Sequence, residues 1–411
     1  MSGSLPCDWK VVYPDDVVTG KRSIVSGPFG SNIGQRFFVE TGIPVIRGNN
    51  LTLGKKRFVD NGFVFLTEEK AKEFKNCQAL AGDIVFTAAG TLGQVGIIPQ
   101  NAKFPVYIIS NKQLRLRPDP TIADPIYLYY WFSSENVRDY IIGLNTGSSV
   151  PLITLGKLRS VPINLPPLPI QRKIGSILSL YDDLIENNTR RIRILEDMAQ
   201  AIYREWFVNF RYPGHEGVRM VESELGPVPE GWEVLPFSQA LTLQRGFDLT
   251  SADRQEGSVP IYGSIGLSGY HNIAKVKAPG IVTGRSGTLG LVHYVERDFW
   301  PHNTALWVKE FKKVTPLFTL FLLRAMDLKQ YNGGVAVPTL DRNVVHRVPV
   351  IIPERKLIEN FEEIVKPLFP LISNLEQKNA NLRRTRDLLL PKLISGELDV
   401  SELDIEIPSA L

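Results

Sequence analysis

The sequence predicts an α+β protein in which two similar mixed α/β globular domains are separated by two long helices, paired as an antiparallel coiled coil. Three observations support this class. The chain contains an internal repeat with a period near half its length, which indicates a pseudo-twofold duplication. Two long segments carry apolar residues every 3.5 residues on average. Short β-rich runs, bounded by Gly, Asn and Asp, fill the remainder of each half.

The first long segment runs from Ile170 to Phe210. Pro169 before it and Pro213-Gly214 after it supply start and stop signals for a helix. At 1.5 Å per residue the segment spans roughly 55–60 Å, so its apolar seam needs a partner helix along its length. Asn188 interrupts the seam. The seam residues are Ile174, Leu178, Tyr181, Ile185, Ile192, Leu195, Ala199, Ile202 and Trp206.

The second long segment, from Glu354 to Leu393, supplies that partner. Pro367 and Pro370 lie inside it and predict a kink or a break, because an interior proline removes a helical hydrogen bond. Asn379 and Arg386 are its polar interruptions. The alternative for both segments is the ordinary core of a helical protein. The second seam comprises Ile358, Phe361, Val365, Leu368, Ile372, Leu375, Leu382, Leu389 and Leu393.

The internal repeat fixes the domain organisation. Gly90-Thr-Leu-Gly93 and Gly287-Thr-Leu-Gly290 match at the same offset as Ile84-Val85 and Ile281-Val282. We therefore expect a globular domain at residues 1–168, a helix at 169–212, a linker and second globular domain at 213–352, and a helix with a tail at 353–411. The further matches are Trp9-Lys-Val-Val with Trp232-Glu-Val-Leu, Ile43-Pro-Val-Ile with Val259-Pro-Ile-Tyr, Asn111-Lys-Gln-Leu with Asn303-Thr-Ala-Leu, Val161-Pro-Ile with Val348-Pro-Val, and Arg172-Lys173 with Arg355-Lys356.

The composition indicates a cytoplasmic protein. Of the 411 residues 43% are hydrophobic, and the formal net charge of +4 permits a polyanionic partner without requiring one. The two cysteines, Cys7 and Cys77, lack metal-ligand spacing and fit a reducing compartment. The N-terminus lacks the apolar core of a signal peptide. The longest dense apolar run, Leu317 to Leu323, is too short to span a bilayer, so no membrane association is expected.

Motifs that carry chemistry are missing. The sequence contains no P-loop, no HExxH, no GxSxG and no Asn/Asp-Pro-Pro-aromatic motif for a flipped adenine. Asp341 followed by Glu354-Arg-Lys356 is only weakly similar to a nuclease carboxylate pattern, and Glu354 and Lys356 fit better at the start of an amphipathic helix. We therefore expect no catalytic residue, no metal site and no bound cofactor on this chain.

Polar and basic residues near the glycine turns instead suggest binding of double-stranded DNA. Arg and Asn can make bidentate contacts to guanine and adenine, whereas Lys and Ser suit phosphates. For any one of these residues, a solvated surface position is the alternative. The candidates are Arg47, Asn49, Asn50, Lys55, Lys56 and Arg57 in the first half, and Arg245, Tyr262, Ser264, Arg285, Ser286, Thr288, Asn303 and Thr304 in the second.

Several segments, in order along the chain, carry a family resemblance. They are Gly27-Pro-Phe-Gly-Ser-Asn32, Gly42-Ile-Pro-Val-Ile-Arg-Gly-Asn-Asn-Leu51, Leu165-Pro-Pro-Leu-Pro-Ile-Gln171, Trp206-Phe-Val-Asn-Phe210, Gly226-Pro-Val-Pro-Glu-Gly-Trp232 and Leu389-Leu-Pro-Lys-Leu-Ile-Ser-Gly-Glu-Leu398. With them the chain resembles, over essentially its whole length, the specificity (S) subunit of a type I restriction-modification system. Ile170 departs from the family, which usually has an acidic residue before Gln171.

The resemblance implies that each globular half is a target recognition domain that reads one half of a bipartite DNA site. The helix pair would set the spacer between the half-sites and provide a docking platform for methyltransferase (M) subunits, expected in two copies, and for restriction (R) subunits where these join. S-adenosylmethionine, ATP and Mg²⁺ would be bound by those partners. A DNA-processing enzyme, such as a nuclease or a fused restriction-methyltransferase, is the main alternative. A coiled-coil scaffold without a nucleic-acid role is another.

Overall fold

The computed structural model describes residues 6–147 and 149–405. These residues form two compact units, which are described separately. Unit 1 contains the described residues up to Thr189 and from Gln377 onward, and unit 2 runs from Arg190 to Glu376. The division between the units therefore falls inside both of the segments that the sequence predicts to be long helices.

Unit 1 is a mixed α/β unit with three small sheets. Their strand orders are β1-β10, β2-β9-β6-β7 and β4-β3-β8-β5. The strands are β1 (Lys10–Val12), β2 (Ile24–Ser26), β3 (Ile43–Ile46), β4 (Val64–Leu66), β5 (Gln78–Ala79), β6 (Ile84–Thr87), β7 (Val95–Ile97), β8 (Tyr107–Ile109), β9 (Gln113–Leu116) and β10 (Ile163–Leu165). The helices before the first long one are α1 (Glu68–Glu73), α2 (Pro125–Ser133), α3 (Glu135–Gly143) and α4 (Leu155–Arg159).

The core of unit 1 joins the sheets to helix α2. This helix begins where Asp124 accepts a hydrogen bond from the Tyr127 backbone N–H at 2.8 Å, and a proline occupies its first position. Aromatic side chains on all sides of α2 are buried, so the helix is enclosed and not amphipathic. The first long helix, α5 (Leu168–Tyr203), contributes Ile174 and Leu178 to the same core.

Unit 2 repeats the strand order of unit 1. Its sheets are β14-β20-β17-β18, β16-β15-β19 and β13-β21, matching β2-β9-β6-β7, β4-β3-β8 and β1-β10, and a hairpin of β11 and β12 precedes them. This correspondence confirms the predicted duplication. The strands are β11 (Met220–Val221), β12 (Val228–Pro229), β13 (Glu233–Pro236), β14 (Leu241–Arg245), β15 (Val259–Gly263), β16 (Gly266–His271), β17 (Gly280–Gly284), β18 (Val292–Val295), β19 (Trp300–Pro301), β20 (Ala305–Phe311) and β21 (Pro349–Ile352). The helices are α6 (Phe237–Ala240), α7 (Pro316–Ala325), α8 (Arg342–Val345) and α9 (Arg355–Val365).

The two long helical segments match the predicted seams and differ in their continuity. Helix α5 passes into a π-helical turn at Arg204–Val208, just short of the predicted end. The second segment is broken, as its prolines predict: α9 ends at Val365 and α10 (Leu368–Ser395) starts after Pro367. Pro370 lies in the first turn of α10, where its missing N–H removes no helical hydrogen bond.

Polar residues of the seam are paired inside unit 1. The Asn188 side chain donates to Asn379 Oδ1 at 3.0 Å, and both residues are buried. Arg386 forms an ion pair with Asp182. Asp182 lies six residues before Asn188 in α5, whereas Arg386 lies seven residues after Asn379 in α10. The two helices of unit 1 therefore run antiparallel. A buried polar pair of this kind fixes the register of a coiled coil, because a shifted register would bury unpaired amides.

In unit 2 the seam is aromatic. Phe361 on α9 is fully buried and contacts Tyr203 and Phe207, with ring centroids 6.0 and 5.2 Å apart. Trp206, which lies in the π-helical turn, also contacts Phe361.

None of the helices in the described part of the chain combines the length and apolar character that crossing a bilayer requires.

Candidate nucleic-acid interface

In unit 2, the ends of several strands bring most of the predicted residues onto one edge. Arg285 and Ser286 follow β17, and their backbone N–H groups both donate to Thr304 O, at 2.8 and 3.1 Å. The Arg285 guanidinium donates to Asn303 O at 3.2 Å. Because Asn303 and Thr304 immediately precede β20, four of the predicted residues form one continuous edge.

Arg245 extends this edge from the end of β14. Its guanidinium pairs with Asp248 at 2.8 Å, and the Asn303 amide donates to the same carboxylate oxygen. Hydrogen bonding from Asn303, reinforced by the charge of Arg245, lowers the pKa of Asp248, so the carboxylate stays ionised. The charge of Arg245 is therefore partly compensated, whereas Arg285 contacts only a carbonyl oxygen among the hydrogen bonds of the described residues.

A glycine turn and a neighbouring loop complete the edge. Gly287 and Gly290 have φ values of 91° and 87°, a region that residues with a Cβ rarely adopt. Between them Thr288 is exposed and Leu289 is buried. The Gly287 N–H donates to Pro338 O at 2.9 Å, which ties the turn to the loop before α8. A Cβ on Gly287 would lie 3.8 Å from the Ser264 hydroxyl, so Ser264 belongs to the same edge.

Tyr262 does not share this environment. Its ring is half-buried in the sheet and meets Phe299 edge-on with centroids 6.2 Å apart. Burial raises the pKa of its phenol. We therefore interpret Tyr262 as a core residue that supports the edge, and we retain the other seven candidates of unit 2 as an accessible group.

The predicted residues of unit 1 include exposed side chains and side chains whose polar groups are already bonded within the protein. Asn50 is fully buried: its Oδ1 accepts from the Arg47 backbone N–H, and its amide donates to Val59 O and Asn61 O, all at 2.9 Å. It therefore shapes the loop, and its side chain cannot reach a base. Arg47 and Asn49 are exposed on that loop.

The basic run that follows is also divided. Lys55 and Lys56 are exposed, but Arg57 is half-buried and forms an ion pair with Asp183 on α5. Its charge is directed at the helix, which makes a DNA contact by Arg57 the weaker interpretation. Composition alone could not separate these cases, because the partner lies 126 residues away in the sequence.

Unit 1 also has the edge that unit 2 presents, and the sequence-based selection missed it. The Ala88 and Ala89 N–H groups donate to Lys112 O, at 2.8 and 3.4 Å, as Arg285 and Ser286 do to Thr304. The Gly90 N–H donates to Pro151 O at 3.0 Å, as Gly287 does to Pro338. The signal was present in the repeat, since Asn111-Lys112 aligns with Asn303-Thr304.

Comparison with known proteins identifies the family. The model of the type I restriction modification DNA specificity domain matches residues 9–197 and 229–384, which together make up most of the chain. The MjaIX specificity subunit of Methanocaldococcus jannaschii is 26% identical, with 98% of this chain and 96% of that protein covered. The HindI specificity subunit of Haemophilus influenzae is 21% identical over 71% of this chain and 81% of that protein.

A solved structure shares the fold. The type I restriction-modification S subunit of M. genitalium matches with a TM-score of 0.60 and 16% identity, covering 96% of this chain and 97% of that one. The family model covers both units, in agreement with the duplication seen in their strand order. The chain therefore belongs to the type I restriction-modification DNA specificity family, whose members are the specificity subunits and not the catalytic subunits of their enzymes.

Proposed function

We propose that each unit reads one half of a bipartite double-stranded DNA site, through the strand-end edge that carries Arg285 in unit 2 and Lys112 in unit 1. The observation that supports this most strongly is the repetition of one backbone arrangement with different side chains. A protein that reads two different half-sites with one fold needs this combination, since the scaffold holds position and the side chains choose bases.

The same proposal assigns the chemistry to partners. Methyltransferase subunits, expected in two copies, would dock on this chain and bind S-adenosylmethionine, and restriction subunits with ATP and Mg²⁺ would join them where present. The chain itself binds DNA and positions the site. The assignment agrees with relatives named as specificity subunits of type I restriction enzymes.

If the two units read DNA independently, exchanging the globular part of one unit should change only one half of the recognised site. Replacing Trp232 to Val345 with the corresponding segment of a relative that recognises another motif is expected to change one half of the methylated motif and leave the other unchanged. The measurement is single-molecule sequencing of host DNA after coexpression with the partner methyltransferase. A change in both halves would contradict separate reading, and an unaltered motif would place recognition outside this segment.

The length of the two long helices is expected to set the length of the DNA spacer between the half-sites. Seven residues inserted after Thr189 and seven after Glu376 preserve both seams, because seven residues make one heptad repeat. Both points lie next to the paired Asn188 and Asn379 and leave that pair in place. Each helix grows by about 10 Å, so the preferred spacer is expected to lengthen by roughly three base pairs at about 3.4 Å each. Selection from a DNA pool with randomised spacers measures it.

The control for this experiment is a single-residue insertion at the same two points. It rotates the seam residues beyond each insertion out of phase with those before it, and should impair folding or assembly because the apolar seam is no longer continuous. An in-register variant that folds, methylates DNA and still selects the original spacer would show that the helices do not set it.

A further inference from the structure

The two units carry different side chains at matched places on one backbone frame. Resting on the proposed function, we propose that this frame contacts the sugar–phosphate backbone in both half-sites, and that two pairs of matched positions, 88/285 and 112/304, determine base choice. The shared part of the frame is the Gly-Thr-Leu-Gly turn together with the loop that follows α3 in unit 1 and α7 in unit 2.

Hydrogen bonds establish which positions match. Besides the bonds to Lys112 O and Thr304 O, the carbonyl groups of Ala88 and Arg285 accept from the N–H groups of Ile153 and Leu340, both at 2.8 Å. Donors, acceptors and distances thus agree on both sides of positions 88 and 285. These two residues occupy one structural position, although one is alanine and the other arginine.

The adjoining loops match in equal detail. Asn145 Oδ1 accepts from the N–H groups of Gly147 and Leu152, at 2.9 and 2.8 Å. In unit 2, Asn332 Oδ1 accepts from Gly334 and Thr339, at 3.0 and 2.9 Å.

The glycines of these loops are required for the same reason in both units. A Cβ on Gly147 would lie 1.9 Å from Val150 O, and one on Gly334 would lie 2.0 Å from Val337 O. Real Cβ atoms do not approach that closely, so both loops require glycine at this position and have the same close backbone approach. The sequence signal is Asn-x-Gly-x-x-Val-Pro, present at Asn145 and at Asn332.

The frame exposes the same uncharged groups in both units. Thr91 and Thr288 are exposed at the centre of the turns, each followed by a buried leucine that anchors it. Two half-sites that differ in bases share only their sugar–phosphate backbone, to which hydroxyl and N–H groups donate. Groups that are identical in the two readers therefore suit the shared part of the DNA.

The matched positions that differ suit the part of the DNA that differs. Position 88 is a buried alanine, whereas Arg285 is half-buried and its guanidinium donates to Asn303 O. At the second pair, Lys112 is exposed in unit 1 and Thr304 replaces it in unit 2. Among these matched positions, the cation is therefore Lys112 in unit 1 and Arg285 in unit 2. An arginine here can bond guanine O6 and N7 through its rigid planar fork, whereas a lysine offers a single flexible ammonium group and an alanine offers no donor.

The test uses the full chain coexpressed with its partner methyltransferase, and reads both the methylated motif and the affinity for a duplex carrying it. Arg285→Ala is expected to relax one position of one half-site and to weaken binding roughly 5- to 150-fold, the equivalent of 1–3 kcal/mol. Arg285→Lys keeps the charge and is expected to relax the same position. Lys112→Thr is expected to alter the other half-site.

The frame is tested by Thr91→Val and Thr288→Val. Each should weaken binding to all duplexes alike, leave the motif intact and leave the salt dependence unchanged, because a neutral contact releases no counterion. Arg347→Ala is the matched control, because Arg347 is an exposed arginine at the other end of β14. The carbonyl of its neighbour His346 accepts from the Ser238 N–H, just before β14 begins, whereas Arg245 lies at the end of that strand.

The outcomes separate this inference from the proposed function. If the unaltered protein directs methylation to a bipartite motif, and Arg285→Ala and Lys112→Thr leave that motif unchanged, the assignment of base choice to these positions is wrong. A motif changed by Thr91→Val or Thr288→Val would overturn the role of the frame. Absence of any bipartite motif with the unaltered protein would instead reject the proposed function itself.

Discussion

Replacing Asp182 with alanine is expected to destabilise unit 1 by about 3–5 kcal/mol, the usual cost of breaking a buried ion pair from one side. The side chains of Asp182 and Arg386 are only 11% and 10% exposed. Asp182 also accepts from the Tyr130 hydroxyl at 2.6 Å. Burial lowers the pKa of Arg386, but Asp182 and Asp387 outweigh it and raise that pKa overall. Because an arginine side chain is not deprotonated in proteins, Arg386 would stay charged after Asp182 is lost.

Urea unfolding, monitored through the hydrogen exchange of the α2 amides, measures this loss of stability in unit 1. Asp183→Ala is the matched control, because the Asp183 side chain is 55% exposed and exposed pairs contribute about 0–1 kcal/mol. Asp182→Leu combined with Arg386→Met should recover most of the stability, since an apolar pair leaves no buried charge. An Asp182→Ala protein as stable as the unaltered one would show that Asp387 and the Gly54 carbonyl satisfy Arg386 without Asp182.

The helix seams show how far periodicity predicts structure. Asn188, Asn379 and Arg386 stand out in the sequence because each interrupts an apolar series, and the structure pairs them as buried groups. Asp182 does not stand out, because it follows the seam residue Tyr181 within an ordinary polar stretch. Periodicity identifies positions that face a partner helix. It does not identify the neighbouring residue whose charge compensates a buried arginine.

The candidate interface was predicted less completely, for a related reason. Residues were selected by type near glycine turns, which suits Arg285 and Thr288 but also selects Asn50, whose amide is consumed by the backbone of its own loop. Whether a polar side chain is free depends on tertiary partners that no local pattern contains. In unit 1 residue type does not single out Ala88, and the matching edge with Lys112 follows only from aligning the repeat, in which Ala88 matches Arg285.

Replacing Phe361 with alanine is expected to destabilise unit 2 by about 3–5 kcal/mol, the range for truncating a fully buried phenylalanine. Its ring packs against Tyr203, Trp206, Phe207 and Phe321, with centroids 5.2 to 6.2 Å apart, so the substitution removes edge contacts as well as apolar burial. The cavity would lie where α5, its π-helical turn and α7 meet α9, and rigid neighbouring rings should prevent its collapse.

Ile364→Ala on the same helix is the control for Phe361→Ala, because Ile364 is 48% exposed and its truncation should change the free energy of unfolding by no more than about 0.5 kcal/mol. Urea unfolding monitored by hydrogen exchange of the α9 amides reports on unit 2. Binding of a duplex should weaken through the half-site that unit 2 reads. If Phe361→Ala costs no more than Ile364→Ala, the aromatic seam does not hold α9 to α5.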